Sequence, residues 1–211
     1  DGNWYLWRCA STAVATHRTL EEIIPYRLLS MICKDALAVK ADRALVAFDG
    51  PKIFRHKVFK NYKGSRSERR GAIDVDGENS ESAPTNVYTF LPHVQALFAT
   101  VGLPLFQPRH READDVIRSV FSAYHNEHTV IGSTQDKDNY QSLDEGMLYD
   151  ASAKGPDGKP QPKFIKKEQV ERKFGIKIAQ MVDYQTLIGD KGDDVPPIQG
   201  MTPARAKKIL T

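Results

Sequence analysis

Two short apolar runs that end in acidic residues constrain the fold of this chain most strongly. Ala44–Phe48 is unbroken and ends at Asp49, and Thr129–Ser133 is followed by Asp136 and Asp138. Runs of this length, separated by segments with helical spacing, predict buried parallel strands. The pattern therefore indicates an α/β fold with a mostly parallel central sheet flanked by helices, in which ligands bind just past the carboxyl ends of the strands.

A further acidic stretch, Glu112-Ala-Asp-Asp115, precedes an apolar helical pattern and has two explanations. Acids in a first helical turn complement the helix dipole at about 0.3–1 kcal/mol each, so a plain helix start accounts for one or two of them. A metal site is the other explanation, because acids stand at the ends of other elements as well. The whole set of candidate metal ligands is Asp1, Asp49, Glu112, Asp114, Asp115, Asp136, Asp138, Asp190 and Asp193.

We expect these nine acids not to be balanced by basic neighbours at helical spacing, and five of them have no Lys or Arg three or four residues away: Asp1, Asp136, Asp138, Asp190 and Asp193. Each like-charged pair at about 4 Å would cost roughly 4 kcal/mol at an effective dielectric constant of about 20. Divalent metal removes that repulsion. Oxygen ligands without His or Cys favour Mg²⁺ or Mn²⁺, and the number of acids favours two ions.

The charge outside this set is strongly basic. Without the nine acids the chain has 18 acidic residues against 30 Lys and Arg. Basic residues alternate with Phe54, Phe59 and Tyr62 between residues 53 and 70, a composition typical of nucleic-acid contacts, although a solvated basic loop is the alternative. The polar stretch 71–84 is expected to be mobile. A basic surface around an acidic pocket indicates a polyanionic substrate, and nucleic acid fits best.

Other classes of protein are disfavoured. The longest apolar runs are too short for a membrane span, and we expect no membrane partner. Cys9 and Cys33 are too few for a disulfide framework or a four-ligand zinc site, which favours a reducing compartment. The six histidines are scattered without ligand spacing.

The motifs resemble, in order, those of the 5′ nucleases: flap endonucleases and 5′→3′ exonucleases with a PIN-like fold, in the bacterial and bacteriophage branch that includes the N-terminal nuclease domain of DNA polymerase I. Asp1-Gly-Asn with Arg8 is similar to the opening motif. Phe48-Asp49 and Tyr62-Lys-Gly-Ser-Arg66 are similar to the segment that leads into the helical arch. The matching acid motifs are Glu112-Ala-Asp-Asp115, Asp136-Lys-Asp138 and Gly189-Asp190 with Asp193.

The resemblance implies a metal-dependent DNA phosphodiesterase with a two-metal mechanism and 5′-phosphate products, acting in DNA replication and repair. Asp1, Asp49 and the 112–115 acids would serve the first ion, and the remaining four acids the second. Lys63 and Arg66, with help from Arg8, would offset charge on the phosphate. Arg55, Arg69 and Arg70 would contact DNA, and Tyr62 would offer a stacking surface for a base.

The C-terminal segment resembles the family's helix-three-turn-helix, which grips duplex DNA, often around K⁺. Gly200, Thr202, Arg205, Lys207 and Lys208 are the candidate DNA contacts here. The match departs from the family pattern at Pro197, which has no amide hydrogen, and at Thr202, which replaces a glycine. These departures weaken the expectation of duplex and K⁺ binding.

We therefore expect a nuclease core over residues 1–165 with an arch at about 55–92, and a DNA-binding region over 166–211. Both chain ends cut through predicted structure, so we expect a fragment, joined to a DNA polymerase domain or working with one. The expected setting is a monomer in the cytoplasm of a bacterial or phage-infected cell. Two alternatives stay open: a PIN-type ribonuclease, and a structure-specific DNA-binding protein without catalysis.

Overall fold

The computed structural model describes residues 1–16, 19–64 and 87–211 of the chain, and these residues divide into two units. One unit contains residues 1–53 and 87–113, and the other contains residues 54–64 and 114–211. This boundary differs from the predicted division at residue 165. That division separates a nuclease core from a DNA-binding region, and it stays a prediction. Most of the expected arch, with Arg66, Arg69, Arg70 and the stretch 71–84, lies outside the described residues.

Helices and short strands follow one another along the chain. In chain order they are α1 (Gly2–Thr16), α2 (Leu20–Ala38), β1 (Val46–Ala47), α3 (Arg55–Val58), α4 (Leu91–Thr100), β2 (Leu105–Phe106), α5 (Ala113–Tyr124), β3 (Ile131–Ser133), β4 (Met147–Asp150), β5 (Lys163–Ile165), α6 (Lys167–Phe174), α7 (Met181–Ile188) and α8 (Pro203–Leu210). Short 3₁₀ helices cover Val87–Phe90, Lys137–Asp144 and Ile178–Gln180.

The core of the first unit is formed by α1, α2 and α4 around β1. Leu6, Ile24, Leu28 and Phe98 are fully buried there. The apolar pattern of α2 predicts a helix that starts at Pro25, but the helix begins at Leu20 and Pro25 lies inside it. Burial of the residues that precede Pro25 offsets the hydrogen bond that a proline cannot donate, a loss of about 3 kcal/mol in an exposed helix.

The strands form two small sheets. In the first unit β1 pairs in parallel with β2, with Val46 opposite Leu105. In the second unit β3 pairs in parallel with β4, and β4 pairs antiparallel with β5. The parallel pairs agree with the prediction for the individual strands. One parallel central sheet is not confirmed, since the order is β1-β2 in one sheet and β3-β4-β5 in the other.

In the second unit α6 and α7 pack against the 3₁₀ helices Lys137–Asp144 and Ile178–Gln180, α8 packs against α7, and Phe121 of α5 lies against Gly132 of β3. Phe121 of α5, Leu148 of β4 and Met181 of α7 are almost completely buried. The 3₁₀ helix at Lys137–Asp144 follows β3 directly and carries the acids that stand after that strand. Among the described residues, no helix combines the length and the apolar character needed to cross a membrane.

Candidate metal centre

Three carboxylates meet in the second unit. One oxygen from each of Asp138, Asp190 and Asp193 lies within 4.8 Å of the other two. Asp193 is buried, and the other two are half-buried. The cluster joins two acid motifs that are about fifty residues apart in the sequence, and we refer to it as the acid cluster.

The end of β3 fixes the position of Asp138. Thr134 is buried, and its hydroxyl accepts a hydrogen bond from the amide of Asp136 at 3.1 Å. Asp136 then caps the 3₁₀ helix, because its Oδ1 accepts from the amide of Asp138 at 3.0 Å. The side-chain amide of Gln185, on α7, donates to the Asp138 carboxylate. Two elements therefore hold this carboxylate in place.

A tight loop after α7 brings Asp190 and Asp193 together. Gly189 has a φ of +67°, and a Cβ there would lie 2.5 Å from the carbonyl oxygen of Val195, so the turn requires glycine. Asp190 and Val195 exchange two backbone hydrogen bonds of 2.8 Å. Oδ1 of Asp190 accepts from the amide of Gly192 at 2.7 Å. The loop thus closes on itself and presents its carboxylates on one side.

Residues 62 and 63 are attached to the same loop. The amide of Lys63 donates to the Asp193 carbonyl at 2.9 Å, and the Tyr62 hydroxyl donates to Asp193 Oδ2 at 2.8 Å. The Lys63 ammonium lies 3.8 Å from the same oxygen. Tyr62 is only 8% exposed, so the expectation of an open stacking surface is corrected: its ring is buried because its hydroxyl binds Asp193.

The electrostatics of the acid cluster are those of crowded, partly buried carboxylates. Burial raises the pKa of Asp138 to about 6; the charges of Asp136 and Asp190 act in the same direction, and the Gln185 hydrogen bond opposes them. Burial alone would lower the pKa of Lys137, but its hydrogen bond to Asp190 and the surrounding carboxylates raise it. Lys137 Nζ lies 2.9 Å from Asp190 Oδ2.

This donor set fits a hard divalent cation. All three groups are carboxylates, which suit Mg²⁺, Mn²⁺ or Ca²⁺ and not a thiolate-binding metal. Burial, with the charges of Asp136 and Asp190 added to it, raises the pKa of Asp138, so the ionised carboxylate is not fully compensated by its protein neighbours. A bound cation would supply that compensation.

The remaining acids of the second unit have other partners. Asp114 Oδ1 accepts from the side-chain amide of Asn139 at 2.8 Å, next to Asp138 in the sequence. Asp115 forms a bidentate salt bridge with the Arg55 guanidinium, with N–O distances of 2.7 and 2.8 Å. Three candidate ligands have basic partners that are distant in the sequence, because Lys63 pairs with Asp193, Lys137 with Asp190 and Arg55 with Asp115. Arg55 was expected to contact DNA, and in this structure its guanidinium binds Asp115 instead.

In the first unit, three acids lie at the ends of elements. Asp1 Oδ1 accepts from the amide of Asn3 at 2.9 Å at the start of α1. Asp49, just after β1, accepts from the amide of Ala113 at 2.8 Å, and Glu112, the neighbour of Ala113, is buried. Arg8 lies on α1 with its guanidinium over the Trp4 ring. These acids are not members of the acid cluster.

One of the C-terminal candidates, Thr202, lines a pocket beside the acid cluster. The pocket of about 580 Å³ extends from Asp136, Asp138 and Asp190 to Met201 and Thr202. Thr202 caps α8 by accepting from the amide of Arg205, and the Arg205 guanidinium donates to the Gly200 carbonyl at 2.6 Å. Gly200, Thr202, Arg205 and Lys208 are exposed, and Lys207 is half-buried.

Sequence reasoning missed several residues that contact the candidate metal ligands. Lys137 stands between two predicted ligands, so its position was a usable signal. Thr134, two residues before Asp136, is a usual position for a hydroxyl that bonds a turn. Gln185 and Asn139 carried no local signal, because each contacts a carboxylate that is distant in the sequence.

Comparison with known proteins gives one consistent result. Residues 1–175 match the family described as 5′–3′ exonuclease, N-terminal resolvase-like domain. DNA polymerase I of Deinococcus radiodurans is 32% identical over 176 residues, which are 81% of this chain and 16% of that protein. A 5′–3′ exonuclease of Aquifex aeolicus is 27% identical over 214 residues, covering 100% of this chain and 67% of that protein.

The fold has a solved counterpart. The D15 flap endonuclease of bacteriophage T5, in a pseudo-enzyme–product complex with DNA and metal ions, aligns with a TM-score of 0.63 at 19% identity. The alignment covers 89% of this chain and 66% of that protein. At this identity the likeness shows the PIN-like nuclease fold, while the family match spans most of the chain. The chain belongs to the family of 5′–3′ exonuclease N-terminal resolvase-like domains.

Proposed function

We propose that this chain is a divalent-metal-dependent nuclease that hydrolyses phosphodiester bonds of DNA near 5′ ends or flaps and leaves 5′-phosphates. The observation that carries the proposal is the acid cluster, in which Asp138, Asp190 and Asp193 converge within 4.8 Å. The names of the relatives support the reaction class. The bound DNA and metal ions of the T5 flap endonuclease support the substrate and the cofactor.

The acid cluster would hold one Mg²⁺ or Mn²⁺, and Asp1, Asp49 and Glu112 of the first unit are proposed to serve another. When bound, such ions supply an activated water and stabilise charge on the leaving oxygen. Gln185 and Tyr62 orient the carboxylates of Asp138 and Asp193. Lys63 is held beside Asp193, and its ammonium would be available to offset negative charge that develops on a scissile phosphate.

The pocket beside the acid cluster supports a DNA-binding role for residues 166–211. Part of its lining comes from the segment between α7 and α8, which carries Gly200 and Thr202 and leads into the basic residues of α8. We infer that this segment binds the backbone of duplex DNA. K⁺ coordination is a weaker part of the proposal, because Pro197 lacks an amide and the Thr202 hydroxyl already caps α8.

The wider assignment follows from the relatives. The chain spans 16% of the polymerase and 67% of the exonuclease, so a polymerase domain or partner is part of the proposal and not of the observed chain. The proposed setting is DNA replication and repair in the cytoplasm of a bacterial or phage-infected cell.

One assay separates this function from its alternatives. The protein is incubated with 5′-labelled flap DNA, nicked duplex and single-stranded RNA, with Mg²⁺ or with EDTA. We expect Mg²⁺-dependent cleavage of the DNA substrates with flap or nick. Cleavage of RNA alone would support a PIN-type ribonuclease, and flap binding without cleavage would support a non-catalytic DNA-binding protein.

A further inference from the structure

Lys137 forms an ion pair with a member of the acid cluster, but the local fold does not depend on its side chain. Its backbone is the first residue of the 3₁₀ helix, which Asp136 caps through the amide of Asp138. The side chain of Lys137 is 45% exposed, and its ammonium lies 2.9 Å from Asp190 Oδ2. The fold of this segment thus depends on the backbone and the cap, and the lysine side chain is able to move.

Both oxygens of Asp190 have partners. Oδ1 accepts from the amide of Gly192 within the tight loop, and Oδ2 binds Lys137. Each carboxylate oxygen can accept more than one contact, but a divalent cation bound to Asp190 would repel the ammonium and compete with it electrostatically. Of the two partners, the ammonium is the easier to displace, because it is carried on a long, half-exposed side chain whereas the amide is fixed by the loop.

A pocket beside the acid cluster could accept the Lys137 side chain after its displacement from Asp190. The side chain lines the same pocket as Asp190, Gly192 and Thr202, and this pocket leads towards the segment before α8. A free ammonium in that pocket would meet whatever anion fills it. With the proposed function, that anion is a DNA phosphate.

We propose that Lys137 neutralises Asp190 in the metal-free protein and transfers to a DNA phosphate when a divalent cation takes its place. Metal binding and DNA binding are then coupled through one lysine. The first half of this proposal concerns the metal alone, and the second half rests on the proposed function.

The first test measures metal binding without DNA. Isothermal titration calorimetry with Mn²⁺ is carried out on the unsubstituted protein, Lys137→Met, Lys137→Arg and Lys167→Met. Lys167 is a matched control, since it forms an ion pair with Asp144 at the other end of the same 3₁₀ helix and is 42% exposed. Lys137→Met should bind Mn²⁺ about two- to fivefold more tightly, the range of a half-exposed ion pair. Lys137→Arg and the control should match the unsubstituted protein.

The second test measures the salt dependence of DNA binding by fluorescence anisotropy with a 5′-flap, in EDTA and in Ca²⁺. The quantity compared is the slope of the logarithm of the binding constant against the logarithm of the salt concentration. In EDTA this slope should be the same for Lys137→Met and the unsubstituted protein. In Ca²⁺ the slope for Lys137→Met should be shallower by about 0.9, the loss of one phosphate contact. Weaker Mn²⁺ binding by Lys137→Met, or an equal slope difference with and without Ca²⁺, would overturn the proposal. If the unsubstituted protein binds no DNA, the proposed function fails with the second half, while the Mn²⁺ titration still decides the first.

Discussion

At the scale of single residues, the carboxylates of the acid cluster repel one another and are held in place by hydrogen bonds from neighbouring side chains. Asp138 carries a raised pKa because it is partly buried beside other carboxylates. Asp193 is buried and receives the hydroxyl of Tyr62. Carboxylates that are expensive to bring together without a cation are thus held by hydrogen bonds from Gln185 and Tyr62, which is the pattern of a metal centre with supporting hydrogen bonds.

The titration of Asp138 gives a prediction for stability. Its pKa of about 6 in the folded chain exceeds the ordinary value of about 3.9 for an unfolded aspartate. Between these values the folded state binds more protons, so the contribution of Asp138 to stability falls as the pH rises through that window. Urea unfolding in EDTA at pH 5 and pH 7 should show this loss, and Asp138→Asn should reduce it.

Mg²⁺ should reverse the effect. At pH 7 it should raise the stability of the unsubstituted protein more than at pH 5, because protons and metal compete for Asp138. A loss between pH 5 and pH 7 that is the same in Asp138→Asn would show that the titration belongs to other groups.

Tyr62 gives a second prediction. Tyr62→Phe keeps the ring and removes only the hydroxyl that donates to Asp193. If Tyr62 supports a metal ligand, affinity for Mg²⁺ should fall by roughly tenfold, the lower end of such supporting effects. Tyr184→Phe is the control, because Tyr184 is also buried in the second unit. Titration calorimetry measures both, and unchanged affinity in Tyr62→Phe would restrict the residue to packing.

At the scale of elements, the tight loop after α7 is the part of the structure on which the acid cluster depends most. It carries two of the three carboxylates within four residues and binds residues 62 and 63. Its geometry relies on Gly189, where a side chain would meet the backbone of Val195 and Pro196. A local backbone requirement therefore determines whether distant acids can meet.

Replacing Gly189 separates backbone strain from steric conflict. Gly189→Ala should destabilise the protein by about 1–2 kcal/mol through its positive φ and by roughly 1–3 kcal/mol more through overpacking. Gly158→Ala is the matched control, because Gly158 has a φ of +76° and open space around it. Urea unfolding and Mg²⁺ titration are the measurements. Only Gly189→Ala should lose metal affinity, and equal behaviour of the two variants would contradict the role of the loop.

The sequence predicted most elements but not their contacts. Strands followed by acids and helices with apolar spacing were visible, because these depend on local periodicity. The start of α2 was misplaced, since burial of Leu20 and Ile24 outweighs the break expected at Pro25. The pairing of Arg55 with Asp115 and the burial of Tyr62 were not predictable, because each contact joins residues 60 or more positions apart.

At the scale of the whole molecule, many acidic residues are candidate metal ligands, and the rest of the chain has an excess of basic residues. The chain has 30 basic and 27 acidic residues, yet candidate metal ligands account for a third of the acids. A cation-filled acidic centre in an otherwise basic protein suits a substrate with many phosphates. The family match over residues 1–175 agrees with that substrate class.

The central claim is that the acid cluster holds a metal ion used to cut DNA. The most direct test is the single-turnover rate of flap cleavage in Mg²⁺ by Asp138→Asn, measured beside Asp157→Asn, which changes an exposed acid of a surface loop. We predict a rate loss of at least about 100-fold for Asp138→Asn, the upper end of effects seen even for residues that only support metal ligands. Asp157→Asn should cut like the unsubstituted protein, and Asp138→Asn should still bind the flap. Cleavage by Asp138→Asn at the unsubstituted rate would contradict the account.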